Sequence, residues 1–179
     1  MMLKIEFKYS PGILSMLLSV ALVVLGLSVP WLLNAWMPSS PPSDVSHASL
    51  VLSAAVGLIL GLAAHEQYRR LIIKMLGQKA VLIRQPILKV ITANKVPRWQ
   101  AIGIVLAPFT DLTLIALIVI AFNNSWFTIT AVVTFLTANL LLSARDIIVS
   151  YHILKKVDPG EWIQLTASGF QIWTEDMDR

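Results

Sequence analysis

The chain has 179 residues, of which 56% are hydrophobic and only 13% charged, with a mean hydropathy of +0.74. Ordinary soluble domains carry about 25% charged residues, so the composition excludes a soluble globular domain and predicts an integral membrane protein of several spans. The absence of cysteine excludes disulfides, a thiolate nucleophile and Cys-type metal sites, and the formal charge of +4 reads as membrane topology rather than as a nucleic-acid footprint.

Residues 1–12 are short and mildly basic and end in Pro11-Gly12. The apolar run from Ile13 to Met37 follows. At about 25 residues it exceeds the usual h-region of a secretory signal, and it is read as a retained first span. Trp31 and Trp36 then sit near the far interface. Residues 38–47 form a turn-rich loop without Lys or Arg. The second span starts near Ser49. Its sixteen residues to Ala64 cover only about 24 Å at 1.5 Å per residue, short of the ~30 Å hydrocarbon core. The helix is therefore expected to run on through His65 and Glu66 to Leu76, with Gly77 as its stop.

Two short β-branched stretches around Pro86 predict a hairpin over 79–92, too short to span. The third span is placed at 99–122, with Pro108 and Asp111 inside it. Asn123 to Ser125 form a tight turn, and the fourth helix occupies 126–156. Asp158 to Gly160 break it, and alternation over 162–173 predicts a second hairpin before an acidic tail. The expected fold is thus a mainly α membrane protein: one domain over 1–179, four transmembrane helices (13–37, 49–76, 99–122, 126–156) and two short β-hairpins.

All fourteen Lys and Arg fall on one side of this arrangement: Lys4 and Lys8, eight between Arg69 and Arg98, and Arg145, Lys155, Lys156 and Arg179. By the positive-inside rule that side is cytoplasmic, which places both termini and both hairpins there. Spans two and four then run in the same direction. His65 lies sixteen residues into one and Asp146 twenty into the other, so their depths agree to within about 6 Å.

Charged and titratable residues within spans ask for a reason. His65-Glu66 begins the His-Glu-x-x-His pattern, in which two histidines one helical turn apart bind zinc and the glutamate is general base. Here the fifth position is Arg69, which stays protonated and has no lone pair for a cation. Asp111, three residues after Pro108, either caps backbone freed by the proline or marks a polar path. His152 follows Asp146 by six residues, off the same helical face. Gly57 and Gly61 form a small-x-x-x-small pair suited to close helix packing. The tryptophans, among them Trp99, Trp126, Trp162 and Trp173, fit interfacial anchoring.

Ala64-His65-Glu66, Lys74 to Gly77, Leu106 to Pro108, Asn139, Ser143 to Asp146 and Gly169 to Trp173 carry a resemblance over about residues 50–173. The chain resembles a zincin-peptidase family of small bacterial membrane proteins, similar in plan to site-2-type intramembrane proteases. That resemblance implies His65 and Asp146 as metal ligands, Glu66 as general base and zinc as cofactor. Arg69 stands where the second ligand histidine belongs, and Arg145 where a glycine usually precedes the aspartate. With two protein ligands instead of three, zinc binding is expected to fall steeply, and Arg69 is expected to replace the metal by pairing with Asp146 or Glu66. Three functions follow: an inactive zincin-like binding, regulatory or assembly subunit of a membrane complex; an active metallopeptidase with Asp111 or His152 as substitute ligand; or a small transporter element around Asp111. The partners expected are the lipid bilayer and other membrane subunits, with no nucleic acid.

Overall fold

The computed structural model describes residues 1–9, 13, 16–22, 24, 28, 46–85, 87–122 and 125–174. Three of its helices are long and apolar enough to cross a membrane: α1 (His47–Met75), α2 (Arg98–Ala121) and α3 (Trp126–Lys156). Their 29, 24 and 31 residues correspond to about 44, 36 and 46 Å of helix, each exceeding the ~30 Å hydrocarbon core. Ile59, Leu62, Leu114 and Ile118 are exposed on α1 and α2, as lipid-facing side chains are. These helices lie over the expected second, third and fourth spans. Of the expected first span, residues 16–22 are helical. Its remainder, with Trp31 and Trp36, lies largely outside the described residues, as do Asn123, Asn124 and the tail 175–179.

The strands are β1 (Met2–Lys8), β2 (Ala80–Gln85), β3 (Ile87–Thr92), β4 (Val96–Pro97), β5 (Trp162–Leu165) and β6 (Gly169–Thr174). β2 and β3 pair antiparallel from Ala80↔Thr92 to Gln85↔Ile87, the hairpin expected over 79–92. β5 and β6 form the second hairpin, Trp162↔Trp173 to Leu165↔Phe170. That hairpin does not stand alone. β1 adds to β6 and β4 to β5, giving a four-stranded antiparallel sheet in the order β1-β6-β5-β4. The N-terminal strand escaped the sequence reading because its residues are mostly exposed and show no buried periodicity. Its strand conformation depends on a partner at the other end of the chain.

The chain divides into two compact units. The first, residues 1–12, 66–108 and 145–179, contains both sheets. Its core joins Val96, Ile163, Phe170 and Ile172 of the larger sheet to Ile73, Ile104 and Ile153 of the helices, all buried. α1 ends in this unit as expected at Gly77, whose φ of +70° suits glycine. Gly77 N–H donates to the Lys74 carbonyl at 2.9 Å and Gln78 N–H to that of Ile73 at 3.0 Å, the paired bonds of a Schellman ending. β1 is tied by Lys4, whose ammonium donates to Glu161 at 2.7 Å and lies 3.6 Å from Asp158.

The second unit, residues 13–65 and 109–144, packs the small face of α1 against α3. A Cβ built at Gly57 would lie 2.0 Å from the Ala131 carbonyl oxygen, and one at Gly61 would lie 2.8 Å from both Ala138 and Phe135. The Ser53 hydroxyl donates to the Phe127 carbonyl beside this contact. Ile120, Ile129 and Val133 form a smaller core.

Two predictions follow from this packing. Gly57→Ala should destabilise the protein by about 1–3 kcal/mol through overpacking. Gly103→Ala on α2, where nothing lies within 4 Å of the added carbon, should be neutral or stabilising by up to about 1 kcal/mol from helix propensity. Thermal unfolding in detergent compares the two, and equal effects would exclude the close contact. The second concerns Lys4. Its bond to Glu161 raises its pKa above the ordinary 10.5, so the pair's stabilisation is fully present below pH 10.5 and disappears as pH rises through the raised value. Lys4→Gln should therefore be less stable than wild type at neutral pH, with the gap closing only in strong alkali, as followed by tryptophan fluorescence.

Candidate functional site

In the first unit, α1 carries Glu66 and Arg69 one turn apart, and α3 brings Asp146 to the same place. Arg69 Nη1 donates to Glu66 Oε1 at 2.8 Å, and Arg69 Nη2 donates to Asp146 Oδ2. Arg69 and Asp146 are 7% and 6% exposed, so the pair is formed away from water. The other oxygen of Glu66, Oε2, accepts the backbone N–H of Val90 at 2.9 Å. One glutamate thus ties α1 to the buried guanidinium and to strand β3. A peptide added as a strand on this edge of β3 would have to displace that bond.

Two further cations stand nearby. Lys89 Nζ and Arg145 Nη2 both donate to the carbonyl oxygen of Ala167, at 3.0 and 2.7 Å, in the turn between β5 and β6. Arg145 also lies over the Tyr9 ring, 5.7 Å from its centroid. Burial, and then the neighbouring Arg145 charge, push the Lys89 ammonium below the ordinary lysine value. A cavity of about 30 Å³ opens between Arg69, Arg145 and Asp146, walled by Val90, Val149 and Leu165.

His65 belongs to the second unit and is 1% exposed. Its Nδ1 lies 2.8 Å from Asn139 Oδ1, and Asn139 Nδ2 donates to Thr113 Oγ1 at 3.4 Å. The amide is thereby oriented with its oxygen towards the imidazole. The fitting tautomer has Nδ1 protonated and the lone pair on Nε2. Ser143 Oγ donates to the Asn139 carbonyl at 2.7 Å. Asp111, also in the second unit, accepts from Thr110 Oγ1 at 2.8 Å. His152 is engaged with aromatic rings, 4.4 Å from Phe7 and 5.6 Å from Tyr151 between centroids, and makes no ion pair among the described residues.

Catalytic zinc takes three protein ligands with free lone pairs. Arg69 offers none, and its guanidinium is bonded to the Asp146 carboxylate. Among the described residues, no group of three His, Asp or Glu is placed to hold a metal. The donor set does not fit zinc.

Several of these partners were beyond the sequence reading. Asn139 stood out within the fourth helix, but not as the residue that orients His65. The Val90 amide on Glu66 and the shared acceptor Ala167 are backbone groups, which carry no sequence signal.

A family model described as "Putative zincin peptidase" matches residues 58–158, and the chain belongs to that family. Among curated proteins and among solved structures, nothing matches it significantly.

The buried cluster predicts a large cost for Arg69→Ala, which strands Glu66 and Asp146 without their cation. A loss of about 3–5 kcal/mol is expected. Arg69→Met combined with Glu66→Gln and Asp146→Asn should recover most of it. Unfolding in detergent reads both, and a silent Arg69→Ala would remove any structural role for the pair.

Proposed function

We propose that this chain is a non-catalytic member of its family, acting as a binding, regulatory or assembly subunit within a membrane complex. The observation that carries the reading is the Arg69 guanidinium, hydrogen-bonded to both Glu66 and Asp146. In the family's chemistry the glutamate takes a proton from water and the aspartate ligates the metal. In this chain both carboxylates are committed to a permanent cation, and arginine does not deprotonate in proteins. A guanidinium one turn from His65 also repels a dication, so the ion pair takes over the metal's task of joining α1 to α3.

The proposed setting is an integral membrane protein with both termini and both hairpins cytoplasmic. The placement of all fourteen Lys and Arg on one side of the expected spans supports that orientation. The bilayer is one partner, and other membrane subunits are the other. The small-residue face of Gly57 and Gly61 is used within the chain, against α3, so a partner subunit would meet a different surface.

His65 keeps the arrangement of a ligand whose second nitrogen is held by an outer partner, since its Nδ1 faces Asn139 Oδ1. Replacing Arg69 by histidine restores the His-Glu-x-x-His spacing on α1. The test is metal analysis of the detergent-purified chain beside Arg69→His. Wild type is expected to be free of zinc and Arg69→His to take up about one zinc per chain, as the three-ligand norm requires. Stoichiometric zinc in wild type would overturn the reading. Failure of both to bind would show that Arg69 is not what closes the site.

A further inference from the structure

The charges around the cavity do not close on one another. Arg69 answers both carboxylates, Glu66 and Asp146. Lys89 and Arg145 are left with a neutral acceptor in common, the Ala167 carbonyl. Among the described residues, neither makes an ion pair with a carboxylate. Three cations and two carboxylates leave one positive charge in excess, and of these groups Arg69, Arg145 and Asp146 line the cavity beside Val90, Val149 and Leu165. Apolar walls lower the local dielectric and strengthen any charge interaction made there. Burial, and after it the Arg145 charge, lower the Lys89 pKa.

Size and shape narrow the ligand. A water-sized position takes about 10–15 Å³, so a cavity of about 30 Å³ accommodates about two oxygens. Two oxygens on one carbon, carrying a single negative charge, match both the space and the excess charge. The planar donor fork of an arginine matches a carboxylate in geometry as well.

We propose that this cavity is a binding site for a single carboxylate group, held by Arg145, which lines it, with Lys89 as a nearby cation that shares the Ala167 acceptor. This deepens the reading of the chain as a binding subunit and rests on it, because the site must be free of metal. Asp146 also lines the cavity, and its charge is met by Arg69. A free small acid and the C-terminal end of a peptide present the same chemistry.

The test uses the full chain in detergent after chelator treatment, titrated calorimetrically with sodium acetate at an ionic strength fixed with sodium chloride. Saturable binding of one acetate per chain is expected. Arg145→Gln should weaken it about tenfold or more, the scale of one charge-assisted hydrogen bond, and Lys89→Gln, which removes a nearby charge, should weaken it measurably but less. Lys89→Gln lies on a half-buried strand position outside the ion pair, so it keeps the test readable if Arg145→Gln misfolds. Absence of saturable binding, or affinity unchanged in both variants, overturns the site. Chloride competing as strongly as acetate overturns its assignment to carboxylates. A short apolar peptide with a free C-terminus, compared with its amide, distinguishes the sources. Binding of the free-acid peptide alone assigns a peptide end, and binding of acetate without either peptide assigns a small free acid. Zinc analysis before chelation separates the two readings: zinc in wild type removes the proposed non-catalytic function, whereas the acetate titration after chelation speaks only to the carboxylate site.

Discussion

The first unit depends on a guanidinium held between two carboxylates away from water. Arg69 reaches Glu66 on its own helix and Asp146 on α3, and Glu66 passes the connection on to the Val90 amide of β3. Each group would be costly alone in that setting, because a buried charge without a partner loses its hydration and gains nothing in return. Together they fix the register of three stretches distant in sequence. Ile73, Ile104, Ile153 and the inner face of the larger sheet pack in the same unit, adding non-directional burial to a directional constraint. The apolar side chains alone would tolerate repacking. The ion pair does not, since small displacements break its hydrogen bonds while leaving its charges buried.

A metal and an arginine solve the same joining problem with different consequences. Zinc binds deprotonated or neutral ligands and keeps a position open for water. A guanidinium binds carboxylates, saturates them and opens nothing. It is also indifferent to pH and to chelators, because it carries its charge permanently. In the proposed function the departure from the family's chemistry is therefore concentrated at Arg69. His65 retains its bond to Asn139, and Asn139 its bond to Thr113, as a ligand histidine retains its outer partner. Those bonds persist for a reason that needs no metal, since a buried imidazole must be hydrogen-bonded in any case.

What the sequence made legible was whatever periodicity and composition encode. The apolar runs located α1, α2 and α3, the glycine at 77 located the end of α1, and β-branched alternation located both hairpins. His65, Glu66, Arg69 and Asp146 drew notice because polar residues in apolar stretches are costly. The pairing of β1 with β6 was illegible, since β1 buries little and takes its strand form from residues 169–174. The roles of the Val90 amide and the Ala167 carbonyl were illegible for a related reason. A backbone group is the same at every residue, and only the fold decides which one faces a charge.

That last point separates a structural charge cluster from one that binds. A structural cluster satisfies its members: Arg69 meets two carboxylates, and each carboxylate meets at least one donor. Lys89 and Arg145 are not satisfied in this sense, because a single neutral oxygen offers each cation a hydrogen bond without neutralising either. If their only task were to secure the β5–β6 turn, one donor would suffice, and a neutral donor would do so without repulsion. Two cations at one carbonyl, one of them lining a cavity that Arg69 also lines, cost more than the turn requires. An incoming anion offsets that cost, and its charge would be answered by groups that the resting fold leaves in excess.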